Sequence, residues 1–162
     1  MSSEAKPSHP GVKFPPPFLF VAGLGLAWLL ETRVTRIRFI GADESTAPIE
    51  TAGAFLIVLG LLLIGWGLLT FARARTAILP MRAASRLVDH GPYRVSRNPM
   101  YTGMSLLYLG AMLVLNWAWA LVVFPFVLIL LYKFVISREE TYLLSVFGED
   151  YRDYCRRVRR WI

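Results

Sequence analysis

The chain has 162 residues, of which 56% are hydrophobic, and it carries a formal net charge of +7. This length predicts a single domain, and the apolar content exceeds that of an ordinary small soluble domain, so we expect much of the chain to lie in lipid. No soluble basic module remains once the apolar runs are set aside, which argues against nucleic-acid binding. The single cysteine, Cys155, excludes an internal disulfide, and no Cys/His cluster indicates a metal site.

Four apolar segments predict four transmembrane helices and an all-α integral membrane fold. In chain order, the predicted spans are 14–30, 53–71, 99–115 and 118–137. The last two form a helical hairpin, because Asn116 and the tryptophans after it divide a run that is too long for one span. Gly53, Gly60 and Gly67 recur every seven residues on one face of the second span, which predicts close packing against another helix.

The distribution of basic residues predicts the orientation in the membrane. Three segments share one side if there are four spans: 1–13, 72–98 and 138–162. They hold most of the lysines and arginines, whereas the opposite loop, 31–52, has only three arginines. Both termini are therefore expected in the cytoplasm. The compact chain and its arginine-rich loops suit a bacterial inner membrane, which is the predicted location. No small-residue cleavage site follows the first apolar run, so no cleavable signal peptide is expected.

The C-terminal tail, 138–162, places apolar residues at intervals among many charges. This pattern predicts a cytoplasmic amphipathic helix, or a pair of such helices with a break near Phe147 and Gly148.

A dense polar motif, Gly-Pro-Tyr-Arg-Val-Ser-Arg-Asn-Pro-Met-Tyr-Thr-Gly, occupies 91–103 at the start of the third span. Asn98 is a favoured N-cap and Pro99 a favoured first helical residue, so a helix is expected to begin there. Free amides at a helix start attract an anion, and Arg94 and Arg97 would reinforce that attraction.

Charged residues also mark the other end of the hairpin. The side chain of Lys133 either extends to the membrane interface or orients a substrate anion. Glu139 and Glu140 either pair with arginines of the tail or bind an ammonium group of a ligand. The arms of the hairpin are antiparallel, so Arg97 and Asn98 should emerge close to these glutamates. An anion site beside a cation site is what a zwitterionic amino-acid group requires.

The ordered set of motifs resembles that of the isoprenylcysteine carboxyl methyltransferase and phospholipid methyltransferase family of membrane enzymes. The set comprises residues 91–103, a hydrophobic hairpin, Glu139-Glu140, Phe-Gly-Glu-Asp-Tyr at 147–151 and Tyr154. The resemblance covers about residues 86–160. The family's usual motif is Arg-His-Pro-x-Tyr-x-Gly, and this chain has Asn98 in place of the histidine. Asparagine can form hydrogen bonds but carries no proton near neutral pH, which argues against acid–base chemistry at this position.

The resemblance implies S-adenosyl-L-methionine as the cofactor, bound in a cytoplasm-facing pocket of the last helices and the tail. It assigns to the cofactor Tyr93, Arg97, Asn98, Pro99, Tyr101, Gly103, Glu139 and Glu140. Among these, the glutamates would hold the ammonium group and Tyr93 would cover the adenosine. The methyl acceptor would be a lipophilic small molecule or lipid with a carboxylate, amine or thiol, which Arg94 or Lys133 would orient.

Two other interpretations remain open. One is a non-enzymatic membrane adaptor whose basic tail binds anionic lipid or a partner. The other is a reductase with the membrane architecture of sterol reductases, against which the lack of a recognisable nicotinamide motif argues. An adaptor needs basic charge but has no need of Asn98 and Tyr101 together with the paired glutamates. The residues make no prediction of the oligomeric state.

Overall fold

The computed structural model describes residues 10–12, 14–41, 44–75 and 85–161. Within them the chain forms six α-helices and no β-strand: α1 (Pro17–Arg33), α2 (Ala47–Ala74), α3 (Pro99–Val114), α4 (Ala118–Leu131), α5 (Ser137–Phe147) and α6 (Glu149–Arg157). A 3₁₀ turn, Gly91–Arg94, precedes α3. The all-α prediction is confirmed for this part of the chain. Most of segment 1–13 and part of loop 72–98 lie outside the described residues.

Two helices are long and apolar enough to cross a membrane: Ala47–Ala74 and Ala118–Phe147. The second is continuous, because a π-helical turn, Tyr132–Ile136, joins α4 to α5. Its apolar part ends at Ile136 and includes one charged residue, Lys133, and the other charged residues begin at Arg138. Most of the charged side chains of this helix therefore lie beyond the segment that can lie in hydrocarbon. The helix α3 is apolar but shorter.

Glycines hold α2 and α3 in backbone contact. A Cβ atom at Gly53 would lie 2.7 Å from the carbonyl oxygen of Gly110, and one at Gly60 would lie 2.7 Å from that of Gly103. These distances leave no room for a side chain on either helix. Gly67 also faces α3, so the predicted glycine face on the second apolar helix is confirmed.

The hairpin between α3 and α4 turns at Asn116, as predicted, with a left-handed φ of 54° that asparagine tolerates. Its side chain binds the loop after α1: Oδ1 accepts the N–H of Phe39 at 2.8 Å, and Nδ2 donates to the carbonyl of Ile40 at 3.0 Å. The indole of Trp119 donates to the carbonyl of Thr35 at 2.8 Å. These bonds fix the end of α1 beside the hairpin turn.

The helix α1 packs on the hairpin around Tyr108, which is 1% exposed. Its hydroxyl donates to the carbonyl of Ala120 at 3.0 Å, and its ring stacks on Phe124 with centroids 5.2 Å apart. The ring of Phe20 approaches Tyr108 edge-on. This cluster ties together the three helices α1, α3 and α4.

The helical conformation is interrupted at Gly148, whose φ of 55° suits glycine. This confirms the predicted break between α5 and α6. After α6, residues 158–161 run back to the segment before α3. Ser96 and Arg159 form an isolated parallel bridge, and the N–H of Arg97 donates to the carbonyl of Arg159 at 2.9 Å. The last part of the chain thus lies against the polar motif.

The glycine contact predicts how substitutions in α2 affect stability. Gly60→Ala should lower the free energy of unfolding by about 1–3 kcal/mol, because the new methyl group meets backbone that must shift. Gly65→Ala in the same helix is the matched control, since a Cβ there would meet nothing within 4 Å. Thermal unfolding in detergent measures both. Equal midpoints for the two variants would contradict the proposed contact.

Candidate functional site

Glu140, near the start of α5, lies between two arginines from distant parts of the chain. Arg160 donates from Nε to Oε1 and from Nη2 to Oε2, each at 2.9 Å. Nη1 of Arg97 lies 3.2 Å from Oε1 of the same carboxylate, with side-chain exposures of 15% for the arginine and 20% for the glutamate. Bidentate, partly buried pairs of this kind are stronger than exposed ones. We call these three residues the Glu140 cluster.

A cleft of about 690 Å³ opens beside the Glu140 cluster. Its lining includes Arg97, Tyr132, Glu140, Thr141, Tyr151 and Cys155. The volume is typical of small-molecule sites, and both signs of charge are present in the wall. The cleft can therefore accept a zwitterionic ligand.

Arg97 lines this cleft and carries one buried donor without a partner among the described residues. Its Nη1 also donates to Sγ of Cys155 at 2.8 Å. Its Nε is buried and has no hydrogen-bond partner in the part of the chain that the structure describes. A buried donor without a partner is costly, so a ligand acceptor that reached it would be bound favourably.

A second polar pair lies on the buried side of α5. The hydroxyl of Tyr101 donates to Oε1 of Glu139 at 2.8 Å. Burial raises the pKa of the Glu139 carboxyl to about 7; the hydrogen bond from Tyr101 opposes this increase, and the charge of Glu140 adds to it. The two adjacent glutamates therefore face different surroundings: Glu140 lines the cleft and Glu139 does not.

Tyr93 is 7% exposed and packs against α2, with its ring edge-on to Phe71 at 5.2 Å between centroids. Its carbonyl accepts the hydroxyl of Tyr154 at 2.8 Å. Burial raises the pKa of the Tyr93 hydroxyl, and the charge of Glu139 adds to that increase. The predicted cover for adenosine thus belongs to the wall between α2 and α6, outside the lining of the cleft.

Asn98 precedes Pro99 at the start of α3, as predicted, but its side chain does not cap the helix. Instead Nδ2 donates to the carbonyl of Arg160 at 3.1 Å. The N–H of Asn98 donates to Oγ of Ser96 at 3.1 Å. The helix therefore begins where predicted but without a side-chain capping bond, and the Asn98 amide group binds the C-terminal segment.

The structure changes the predicted relation between Arg97 and Glu140. The sequence predicts an anion site and a cation site side by side, whereas these two groups form an ion pair with each other. The sequence leaves open whether the paired glutamates bind arginines of the tail or a ligand. For Glu140 the structure shows the first, because Arg160 of the tail is bound to it. A ligand must therefore compete with these contacts.

Three further predicted residues lie away from the lining of the cleft. Gly103 faces α2, where its Cβ would lie 2.9 Å from the carbonyl of Gly60, so its role in the structure is packing. Arg94 is exposed on the 3₁₀ turn. Lys133 is exposed, and its Nζ lies 5.8 Å from the ring centroid of Phe134. Lys133 lies within the π turn, Tyr132–Ile136.

Arg160 and Cys155 are members of this site that no short-range pattern assigns to it. Arg160 lies among other tail arginines, and Cys155 is a single thiol on an amphipathic helix. The proximity of the carbonyl of Arg160 to Ser96 and Asn98 depends on the return of the chain after α6. Only the three-dimensional arrangement brings them to Glu140 and Arg97.

Apolar helices that end in a charged cleft are the features of a helical membrane protein with a small-molecule site. The phospholipid methyltransferase family model matches residues 49–150. Protein-S-isoprenylcysteine O-methyltransferase B of Arabidopsis thaliana is 30% identical over 112 residues, which cover 68% of this chain and 57% of that protein. A probable protein-S-isoprenylcysteine O-methyltransferase of Oryza sativa subsp. indica is 26% identical over 112 residues, covering 68% and 59%.

The protein-S-isoprenylcysteine O-methyltransferase of Schizosaccharomyces pombe is 35% identical over a shorter stretch of 72 residues, 44% of this chain and 30% of that protein. The chain spans less than two thirds of the length of the two plant relatives. It belongs to the phospholipid methyltransferase family, as the order of its motifs predicts.

The partly buried carboxyl of Glu139 predicts a pH dependence of stability. Between its ordinary pKa of 4.5 and the folded value of about 7, the folded protein holds the Glu139 proton more tightly than the unfolded chain does. Stability should therefore fall as pH rises through this window, by on the order of 3 kcal/mol in total.

Glu139→Gln should remove most of this pH dependence, whereas Glu149→Gln, at an exposed carboxylate, should retain it. Thermal unfolding midpoints between pH 4.5 and 8 are the measurement. Parallel curves for the wild type and Glu139→Gln would show that this carboxyl is not the group responsible.

Proposed function

We propose that this protein transfers a methyl group from S-adenosyl-L-methionine to a small lipophilic acceptor at the cytoplasmic membrane face. One observation carries the proposal: a cleft with opposite charges, from Arg97 and Glu140, lies at the polar end of the apolar helix Ala118–Phe147. Membership of a methyltransferase family and the names of the relatives support the reaction class.

In the proposed topology, α1 and α3 also cross the membrane, giving four spans. With 17 and 16 residues, they are about 25 Å long, near the lower limit for a span. Asn116 and Trp119 bind the loop after α1, which supports a common level for the end of α1 and the hairpin turn. The arginine-rich segments support a cytoplasmic position for both termini and the cleft, and the bacterial inner membrane is the proposed location.

In the proposed cofactor site, Glu140 binds the ammonium group and Arg97 binds the carboxylate. Arg97 and Glu140 both line the cleft and carry the opposite charges that such a zwitterion requires. When bound, S-adenosyl-L-methionine supplies a methyl group already activated on a sulfonium. Tyr93, Asn98, Pro99 and Tyr101 act as positioning residues behind the cleft wall, and Glu139 supports α5 through its bond to Tyr101.

The protein's main task is then to align an acceptor with the methyl group, because the group itself is activated. Asn98 has no proton to exchange near neutral pH, and the carboxyl of Glu139 lies outside the cleft lining and is occupied by its bond to Tyr101. These surroundings favour an acceptor that arrives as an anion over an amine or thiol that must lose a proton. The names of the relatives make the carboxylate of an isoprenylcysteine the first acceptor to test.

Arg94 is exposed just before the start of the hairpin, and Lys133 is exposed just after the end of α4. In the proposed topology both lie near the cytoplasmic surface, where a lipid-borne carboxylate or phosphate would arrive. We propose that they orient that group. Arg94→Ala and Lys133→Ala should each raise KM for the acceptor about 5-fold or more, with little change in cofactor binding. Steady-state kinetics with each substrate varied tests this, and an unchanged KM for the acceptor in both variants would exclude the role.

Calorimetric binding of S-adenosyl-L-methionine to the detergent-purified protein tests the cofactor site. Glu140→Gln should weaken binding about 10-fold or more, because it removes the charge that faces the ammonium group. Glu50→Gln is the matched control, because Glu50 is an exposed carboxylate in the first turn of α2. Failure of the folded, lipid-supplied wild type to bind would refute the methyltransferase proposal and favour the adaptor.

A further inference from the structure

The proposed ammonium site on Glu140 already holds a cation from the same chain. Arg160 takes both oxygens of the carboxylate at 2.9 Å, which is the arrangement that best satisfies a carboxylate. Arg97 approaches one of these oxygens as well, at 3.2 Å. A ligand ammonium that reached Glu140 would therefore meet a carboxylate whose charge is already balanced.

Hydrophobic packing holds the segment on both sides of Arg160: Val158 is buried beside Tyr151 and Tyr154, and Trp161 packs against the main core. The carbonyl of Arg160 accepts from Nδ2 of Asn98 at 3.1 Å and from Oγ of Ser96 at 3.3 Å, and the carbonyl of Arg159 accepts from the N–H of Arg97. The guanidinium also lies over the ring of Tyr132, 5.0 Å from its centroid. The Arg160 side chain is 36% exposed, so it can move into solvent without disturbing a packed core.

We propose that Arg160 is an internal competitor for the ammonium subsite, so that the cofactor binds by exchanging its ammonium group for this guanidinium on Glu140. This inference rests on the proposed function and assigns Arg160 the setting of affinity and selectivity. Competition reduces the apparent affinity in proportion to the fraction of molecules in which Glu140 is free, so a smaller free fraction gives weaker binding. A ligand without a cationic group gains nothing to offset the loss of Arg160 from Glu140, so the exchange selects against neutral ligands.

The opposite role for Arg160 predicts an effect of opposite sign. If Arg160 only holds the carboxylate of Glu140 in place, its removal leaves that carboxylate less ordered and weakens binding. If Arg160 competes, its removal frees the carboxylate and strengthens binding. The sign of the change in affinity therefore decides between a competitor and a positioning residue.

The test compares the dissociation constant of S-adenosylhomocysteine for the wild type, Arg160→Ala and Arg159→Ala. Arg159 is the matched control because it is adjacent, exposed and equally charged, and only its backbone touches the site. We expect Arg160→Ala to bind about 5- to 50-fold more tightly and Arg159→Ala to match the wild type. Equal or weaker binding by Arg160→Ala overturns the exchange.

Hydrogen exchange supplies a second readout that requires no turnover. The N–H of Arg97 and the amides of 158–161 should exchange faster when the wild type is saturated with S-adenosylhomocysteine, and also in ligand-free Glu140→Gln. Slower exchange of these amides in the complex would show that the segment closes over the ligand, which overturns the proposal. If neither the wild type nor Arg160→Ala binds the ligand, the proposed function fails first, whereas binding of equal strength refutes the exchange alone.

Discussion

The carboxylate of Glu140 is the point at which three segments of the chain meet. It joins α5 to Arg97, just before α3, and to Arg160, in the segment that follows α6. Removing one partner from a partly buried ion cluster leaves the remaining charges unbalanced, so each member constrains the others. The bonds from Ser96 and Asn98 to the carbonyl of Arg160 follow from the same return of the chain. The cleft exists where these segments meet.

The helices place this carboxylate at the end of an apolar structure. Backbone contact at Gly53 and Gly60 fixes α3 against α2, which sets the position of the motif before α3. The π turn joins α4 to α5 and carries Glu139 and Glu140 just beyond the last apolar residues. The two adjacent glutamates have different partners: Glu139 accepts a hydrogen bond from Tyr101, and Glu140 faces the cleft. A single helical register thus separates a supporting carboxyl from an accessible one.

Local patterns in the sequence predict the features that depend on near neighbours. The glycine period, the turn at Asn116 and the break at Gly148 each follow from backbone geometry or helix periodicity, and each is confirmed. Features that depend on distant partners differ from prediction. The Asn98 amide bonds a carbonyl 62 residues further along the chain, and no helix-capping rule contains that partner.

The same reason accounts for Arg97 and Gly103. The ion pair of Arg97 with Glu140 replaces two separate charged sites, because the hairpin brings the groups closer than a ligand between them would need. Gly103 stands in a motif that resembles a cofactor site, yet its α-carbon faces Gly60. A motif marks residues that lie close together but does not say which of them line a cavity and which pack behind it.

The most decisive experiment is a structure of the protein in lipid with S-adenosylhomocysteine bound. If the ligand exchanges with Arg160 on Glu140, its amino group will lie within hydrogen-bond distance of the Glu140 carboxylate, its carboxylate will lie on Arg97, and Arg160 will be displaced from Glu140. A ligand bound elsewhere, with the Glu140 cluster intact, would refute both the cofactor site and the exchange.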